Sequence, residues 1–347
     1  MNRRSLLKFS GYLGAATAAT QLGWLNAASQ VADAAAAETA ADSALTMQLD
    51  WVFNVQFAGL LMADHLGLYK QRGLTVALKP WESGLIVPDV VAADPLAIGC
   101  SEQNLILAAQ AQGAPIKAIA TMFQASPYAL MAMPDSNIQT LSDLVGKKVG
   151  IHADGVKVME LVKSVNGLNP DDIEVVEIPY ENKLNRLISG ELAALQCYAV
   201  DEPIGFTKQV GKAPILMPMD QYGYKAYAQV FFAGDALLTQ QPEQVKAFLE
   251  ASFTGWRIAL ANIPATAKLI AETYAEKNSK YTDVVYQQQS LQLVGEYVLR
   301  GIAANQIGTI LPSQWQEATD LMAQYGIIAS SPDPETSLDL SFWSGVS

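Results

Sequence analysis

Polar and aromatic residues collect where short apolar runs of this chain end, and their types suit hydrogen bonding and ring stacking more than bond-breaking. Asp50 and Trp51 lie near the end of the first run. A carboxylate beside an indole can accept hydrogen bonds from an amino group while the ring stacks on a flat heterocycle. The same two residues could also cap a turn and pack a core. Asn54 could add a donor or acceptor, and Trp81 with Glu82 follows the second run. Ser101, Gln103 and Asn104 follow a third, and at least one is expected to touch a ligand. In His152-Ala153-Asp154-Gly155 bare N–H groups at a helix start would cradle an oxyanion. Asp154 instead sets a carboxylate over that position; read structurally it is an N-cap and His152 a satisfied buried histidine. Asp201-Glu202-Pro203 sits where the chain leaves another run. Glu202 is expected to face Asp50 across a cleft, or to sit in a helix first turn favoured by the dipole. Tyr180 and Tyr198 are further stacking candidates, whereas Trp256 and Trp315 fall on helical stripes and read as core.

Catalytic patterns are missing. The chain has two histidines, His65 and His152, and two cysteines, Cys100 and Cys197. It carries no G-x-S-x-G elbow, no H-E-x-x-H, no P-loop and no G-x-G-x-x-G. No enzyme activity, cofactor or metal is expected. The cysteines are too few for a disulfide scaffold, and whether they pair stays open.

The elements that must position these residues alternate. Residues 46–53 read as a strand, 57–71 as a helix by its stripe of Leu60, Leu61, Ala63, Leu66 and Leu68, and 74–79 as a strand. A strand at 96–100, a helix at 104–112 stopped by Gly113 and a strand at 116–122 complete a first α/β unit. A second opens with a short helix at 141–145 and strands at 148–152, 173–178 and 193–200, with helices at 156–166, 182–189 and from 203. After one more strand at 229–233 the pattern is helical, at 242–261, 265–276, 281–300 and 315–325. This predicts α/β lobes with mainly parallel sheets and a helical C-terminal tail. The expected boundaries are 45–134 for the first part of lobe I, 135–228 for lobe II and 229–347 for the return to lobe I. Open α/β sheets bind ligands at the carboxyl ends of their strands, so two facing sheets would form a cleft that hinge motion closes.

The N-terminus carries a different signal. Arg3-Arg4-Ser5-Leu6-Leu7-Lys8 precedes an uncharged stretch rich in Ala, Gly and Leu, the layout of an export signal of twin-arginine type. Residues 1–44 are therefore expected to be a signal peptide and Ala-rich join. No later window approaches the ~20 apolar residues a membrane-spanning helix needs. Half of the 347 residues are hydrophobic, 16% are charged and the formal charge is −12. That composition is globular and excludes a nucleic-acid partner, whose phosphates an acidic surface repels.

Longer patterns carry a resemblance. His65-Leu66-Gly67-Leu68-Tyr69-Lys70-Gln71-Arg72-Gly73-Leu74-Thr75-Val76 is similar to the opening of the periplasmic binding proteins for nitrate, sulfonates and thiamine pyrimidine precursors. Ala111-Gln112-Gly113-Ala114-Pro115-Ile116 and Leu141-Ser142-Asp143-Leu144-Val145-Gly146-Lys147-Lys148-Val149-Gly150 resemble later motifs of that superfamily. The resemblance spans roughly residues 47–265. It implies a two-lobed, type II-like periplasmic-binding-protein fold and a monomeric subunit of an ATP-driven importer that hands a small molecule to a membrane permease. Asp50-Trp51 and Asp201-Glu202-Pro203 look closest to the pyrimidine-precursor branch, which implies such a ligand, with a sulfonate, nitrate or bicarbonate as the alternative. That branch also holds hydroxymethylpyrimidine phosphate synthases, which consume their own histidine and a lysine-bound pyridoxal. The helix that carries their histidine reads Ser101-Glu102-Gln103-Asn104-Leu105-Ile106-Leu107 here, and Tyr222 to Phe232 lacks their cysteines, so the synthase reading is set lower.

Overall fold

The computed structural model describes residues 44–180 and 183–345, so the expected signal peptide lies outside the described residues. From Leu45 onward the chain forms one compact unit. Its elements run β1 (Leu45–Gln48), α1 (Ala58–His65), β2 (Val76–Lys79), α2 (Val87–Ala93), β3 (Ala97–Ser101), α3 (Gln103–Ala111), β4 (Ile116–Phe123) and β5 (Tyr128–Ala132). There follow β6 (Lys148–Ile151), α4 (Val156–Val165), β7 (Glu174–Glu177), α5 (Lys183–Ile188), β8 (Ala194–Tyr198), α6 (Glu202–Val210), β9 (Ile215–Pro218) and β10 (Ala228–Gly234). The remainder is helical: α7 (Asp235–Gln240), α8 (Pro242–Ala261), α9 (Ile263–Thr273), α10 (Val284–Val298), α11 (Pro312–Gln324) and α12 (Pro334–Ser337). None of the helices among the described residues is long and apolar enough to cross a membrane.

Two five-stranded sheets repeat one topology. The first has the order β2-β1-β3-β10-β4 and the second β7-β6-β8-β5-β9. In each, four strands run parallel and the fourth in the order, β10 or β5, runs against its neighbours. Those two strands are where the chain arrives from the other sheet, through residues 124–127 and 219–227. The first crossing comes earlier than the expected boundary at 135, because Tyr128–Ala132 is a strand of the second sheet. The first strand is also shorter than expected: pairing stops at Gln48, and residues 49–53 leave the sheet. Asp50 and Trp51 therefore stand on the loop beyond the strand end.

Helical periodicity decides what packs on the first sheet. In α8 the buried residues Val245, Phe248, Leu249, Ser252, Phe253, Trp256 and Ala259 recur at three- and four-residue spacing and form one stripe. α1 crosses this helix so closely that a Cβ on Gly255 would lie 2.0 Å from the Gly59 carbonyl oxygen. Only glycine permits that backbone contact. The last segment returns to the same sheet: Leu338 bridges Ala118 of β4, Trp315 is fully buried, and its indole N–H donates to Ser337 at 3.0 Å.

Candidate functional site

Both sheets present the carboxyl ends of their parallel strands to one cavity of about 670 Å³. Asp50 and Trp51 follow β1, Trp81 follows β2, Ser101 ends β3 and Glu102 follows it. His152 and Asp154 follow β6, Pro179 and Tyr180 follow β7, Tyr198 ends β8, and Asp201 and Glu202 follow it. The antiparallel strands contribute their opening residues, Gln229 from β10 and Tyr128 from β5, which lie at the same ends of the sheets. The convergence is the crevice expected of open α/β sheets.

Aromatic side chains build one wall. Trp51 and Trp81 stack with centroids 5.3 Å apart and planes 18° from parallel, and Tyr180 leans on both at 5.3 and 5.8 Å. Two rings holding a third between them would stand about 7 Å apart, twice the ~3.5 Å contact distance. The pair therefore acts as one stacking surface. The Trp51 indole N–H is held by Tyr281 OH at 2.8 Å and that of Trp81 by the Leu85 carbonyl at 2.9 Å.

One group of carboxylates forms no ion pair among the described residues. Asp50 accepts from Gln229 Nε2 at 2.7 Å, and the Cys100 thiol lies 3.7 Å from its other oxygen. Burial pushes the Asp50 carboxyl up to about 7 against these bonds. Glu102 accepts from Tyr198 OH at 2.7 Å, and burial pushes it up to about 8, helped by the charge of Asp50. Asp154 accepts a short hydrogen bond from Tyr128 OH and is likewise raised by burial. Three buried acceptor atoms at this cavity lack a well-formed hydrogen bond: Glu102 Oε2, Asp154 Oδ1 and Gln229 Oε1. Buried polar atoms are normally satisfied, so this concentration of free acceptors asks for a ligand that brings donors. Gln229 is held at φ +52°, a left-handed conformation uncommon outside glycine, and from it the amide reaches Asp50.

A second group is fully paired. Glu202 forms a close ion pair with Lys183 and accepts the Tyr198 backbone N–H at 2.7 Å. Burial alone would raise its carboxyl, yet Lys183 and Lys280 bring it down to about 2. Lys183 also reaches His152 Nε2 at 2.9 Å, while His152 Nδ1 lies 3.2 Å from the Ile178 carbonyl. That pattern assigns the Nδ1–H tautomer. Burial and Lys183 lower the imidazole to about 4, so it is neutral, and Tyr180 stacks on it at 4.2 Å. Asp201 collects Lys280 at 2.7 Å, Tyr281 OH at 3.0 Å and Tyr286 OH at 2.5 Å.

The cavity thus gathers Asp50, Trp51, Trp81, Ser101, Asp154, Tyr198 and Glu202, but two expected residues lie elsewhere. Asn54 caps the turn Val55–Phe57, its Oδ1 accepting from Gln56 N at 2.7 Å and its Nδ2 donating to Val52 O. Gln103 is fully buried and splices the tail to the sheet, bonding Tyr227 N, Trp315 O and Thr319. Glu202 lines the cavity from the first turn of α6, the alternative place given for it, with both oxygens committed. The Asp154 side chain, read as an N-cap, forms no N-cap bond. Asn104 is likewise bonded internally, to Tyr224 OH. Sequence reasoning passed over Glu102, Tyr128, Lys183 and Gln229. Glu102 had a legible signal, an acid directly after a buried strand; Gln229 had none beyond being one polar residue in an apolar run. Cys100 and Cys197 are buried free thiols. No cluster among the described residues groups three or more metal-ligating side chains.

The family model described as NMT1/THI5 like matches residues 54–267. The riboflavin-binding protein RibY of Chloroflexus aurantiacus is 24% identical over 307 residues, spanning 87% of this chain and 86% of its own length. The 4-amino-5-hydroxymethyl-2-methylpyrimidine phosphate synthase of Legionella pneumophila is 26% identical over 224 residues, 61% of this chain and 68% of its own. Among solved structures, the periplasmic aliphatic sulphonate binding protein SsuA of Escherichia coli superposes with a TM-score of 0.64. It is 14% identical and covers 88% of this chain and 93% of that one. At that identity the likeness shows a shared fold, the two-sheet architecture of periplasmic binding proteins.

Proposed function

Because the chain belongs to the NMT1/THI5-like family, we propose that it is a periplasmic solute-binding subunit that captures a flat, amino-bearing heterocycle. It would leave the cytoplasm by the twin-arginine route and act as a monomer, delivering its ligand to the membrane permease of an ATP-driven importer. A pyrimidine precursor of thiamine is the ligand the site fits best. The observation that carries this reading is the group of buried, unpartnered oxygens beside a tryptophan surface: Glu102 Oε2, Asp154 Oδ1 and Gln229 Oε1 against Trp51 and Trp81. An amino group supplies the donors and the ring supplies the stack. An oxyanion would meet Asp50, Glu102 and Asp154, while Lys183, the one lysine among the described residues of the cavity wall, is committed to Glu202.

A larger heterocycle of flavin size is the second reading. A volume near 670 Å³ exceeds the need of one six-membered ring and falls in the ~300–1,000 Å³ range of drug-sized ligand sites. The likeness to a riboflavin-binding protein along most of both chains supports it. The synthase reading has less support. Helix α3 carries neither lysine nor histidine, and Lys183, ion-paired with Glu202, would present an ammonium that cannot attack a carbonyl. Incubation with pyridoxal phosphate is expected to give no Schiff-base absorbance.

Calorimetry with 4-amino-5-hydroxymethyl-2-methylpyrimidine, riboflavin, an alkanesulfonate and nitrate tests the proposal. The expected result is saturable binding of a heterocycle and none of the anions. Tight binding of sulfonate or nitrate, with no response to either heterocycle, would overturn it.

A further inference from the structure

We infer that Glu102 selects the ligand, by sharing one proton between its free carboxyl oxygen and a basic ring nitrogen of an amino-substituted heterocycle. The inference rests on the heterocycle-binding reading above and narrows it. The cleft would take amidine-like rings, in which a basic nitrogen neighbours an exocyclic amine. It would discriminate against lactam rings of the same shape, whose ring nitrogen carries its own hydrogen and whose substituent is a carbonyl.

The geometry of Glu102 supports this. The side chain is 3% exposed and lines the cavity, with Oε1 taken by Tyr198 O–H at 2.7 Å and Oε2 left without a well-formed partner. The charged and titratable groups around it are Tyr198 at the end of β8, Asp50 after β1, Asp154 after β6, Cys100 on β3, Tyr128 on β5 and Tyr224 before β10. All are acids or neutral, and Ser126 is the further hydroxyl that favours the ionised form. A buried carboxyl in such company keeps its proton at neutral pH, consistent with a value near 8. It can therefore donate O–H to a ring nitrogen, or pass that proton across and hold N–H⁺ as carboxylate. The pair contains one proton in either form, so no further reactant is needed. The exocyclic amine then finds the remaining free acceptors, Gln229 Oε1 and Asp154 Oδ1. A lactam offers a carbonyl oxygen where these acceptors need a donor, and unpaired buried polar atoms are what discriminate most strongly.

The test compares 4-amino-2-methylpyrimidine with the isosteric 2-methylpyrimidin-4-one by calorimetry on the wild-type protein and on Glu102→Gln. The amino compound is expected to bind roughly 10- to 100-fold tighter in wild type, the range of a hydrogen bond to a charged group. That preference should shrink to about threefold in E102Q. Wild-type affinity for the amino compound should hold or rise through pH 7 as Asp50 ionises. Above pH 8 it should fall about tenfold per unit, because the shared proton must then be taken from solvent. Equal affinity for the two rings in wild type would overturn the inference while leaving heterocycle capture intact, as would a preference that survives in E102Q. An affinity level to pH 9.5 would do the same and needs no variant, should E102Q fail to fold. If no heterocycle bound at any pH, the functional reading itself would fall along with the inference.

Discussion

Glu102 and Glu202 occupy equivalent places in the repeated topology: one caps the helix after β3 and the other opens the helix after β8, each the third strand of its sheet. Both line the same cavity and both are largely withdrawn from water, Glu102 more fully, yet burial pushes Glu102 up to about 8 while Glu202 is brought down to about 2. The difference lies in the partners. Glu202 has Lys183, the Tyr198 amide and the nearby charge of Lys280; Glu102 has Tyr198 OH and the like charge of Asp50. One site has become part of the scaffold, and the other keeps a proton and an open lone pair. Burial makes a carboxylate sensitive, and its neighbours decide whether it holds the fold or waits for a ligand.

The strongest way to break this contrast is to remove the cation. Lys183→Met would leave Glu202 with one N–H and the through-space charge of Lys280, which is itself bonded to Asp201. Stripping one partner from a buried pair costs about 3–5 kcal/mol, read as a lower urea midpoint at unchanged slope. A midpoint within experimental error of wild type would show that the ion pair does not set the difference between the two glutamates.

The pH dependence of the unliganded protein separates the pair next. The folded Glu102 carboxyl titrates near 8 against an ordinary value of 4.5, and that of Asp50 near 7 against 3.8. The native state then binds more protons than the unfolded one between about pH 4 and 8, so these groups make stability fall as pH rises through that window. Glu202 has the opposite sign. Its depressed value near 2 gives stability that is present above about pH 4.5 and lost as pH falls toward 2. Thermal melts should therefore show a maximum in mildly acidic solution, with a decline of a few kcal/mol toward pH 8. Glu102→Gln should make the alkaline limb shallower, leaving the share that belongs to Asp50, and keep the acid limb in place. A stability curve still rising between pH 6 and 8 would contradict the assignment.

A smaller effect comes from the stacking wall. Trp51→Ala deletes one ring of the Trp51–Trp81 pair and the donor to Tyr281 OH, which itself bonds Asp201. Affinity for the amino-pyrimidine should drop roughly 10- to 30-fold, in line with loss of an aromatic contact and its buried area. Replacing Tyr281 by Phe keeps the wall and removes the hydroxyl that accepts from Trp51 and donates to Asp201, so its affinity should lie between the two. An undiminished affinity in Trp51→Ala would move the ligand away from this wall.

Much of this arrangement is legible in the sequence. Alternating apolar runs and helical stripes give the first sheet's parallel strands and the helical tail, because period and length carry that information. The runs Tyr128–Ala132 and Ile215–Pro218 are not legible in this way: Tyr-Ala-Leu-Met-Ala has no β-branched residue and Ile-Leu-Met-Pro ends on proline, so neither reads as a strand. Both are nonetheless β5 and its neighbour β9, and the second sheet depends on them. At the site, residue type and strand-end position find Asp50, Trp51, Trp81, Ser101, Asp154, Tyr198 and Glu202. What those rules cannot supply is pairing. Lys183 reads as a helix-surface lysine until the fold sets it on Glu202, and the left-handed backbone that aims Gln229 at Asp50 leaves no mark in the sequence.

Asn54 allows the smallest and most selective test. It is three residues beyond Trp51 and was expected to reach the ligand, but its side chain is spent on Gln56 N and Val52 O at the turn Val55–Phe57. Loss of an N-cap costs about 1 kcal/mol. Asn54→Ala should therefore lower stability by that amount while affinity for the amino-pyrimidine, measured below the new melting transition, stays within about twofold. Ligand affinity and stability would then be carried by different residues of the same loop, with Asp50 and Trp51 serving the cleft and Asn54 the fold. A tenfold loss of affinity in Asn54→Ala with unchanged stability would return this residue to the site. It would also show that the loop after β1 reaches the ligand in an arrangement other than the one in which Asn54 caps the turn.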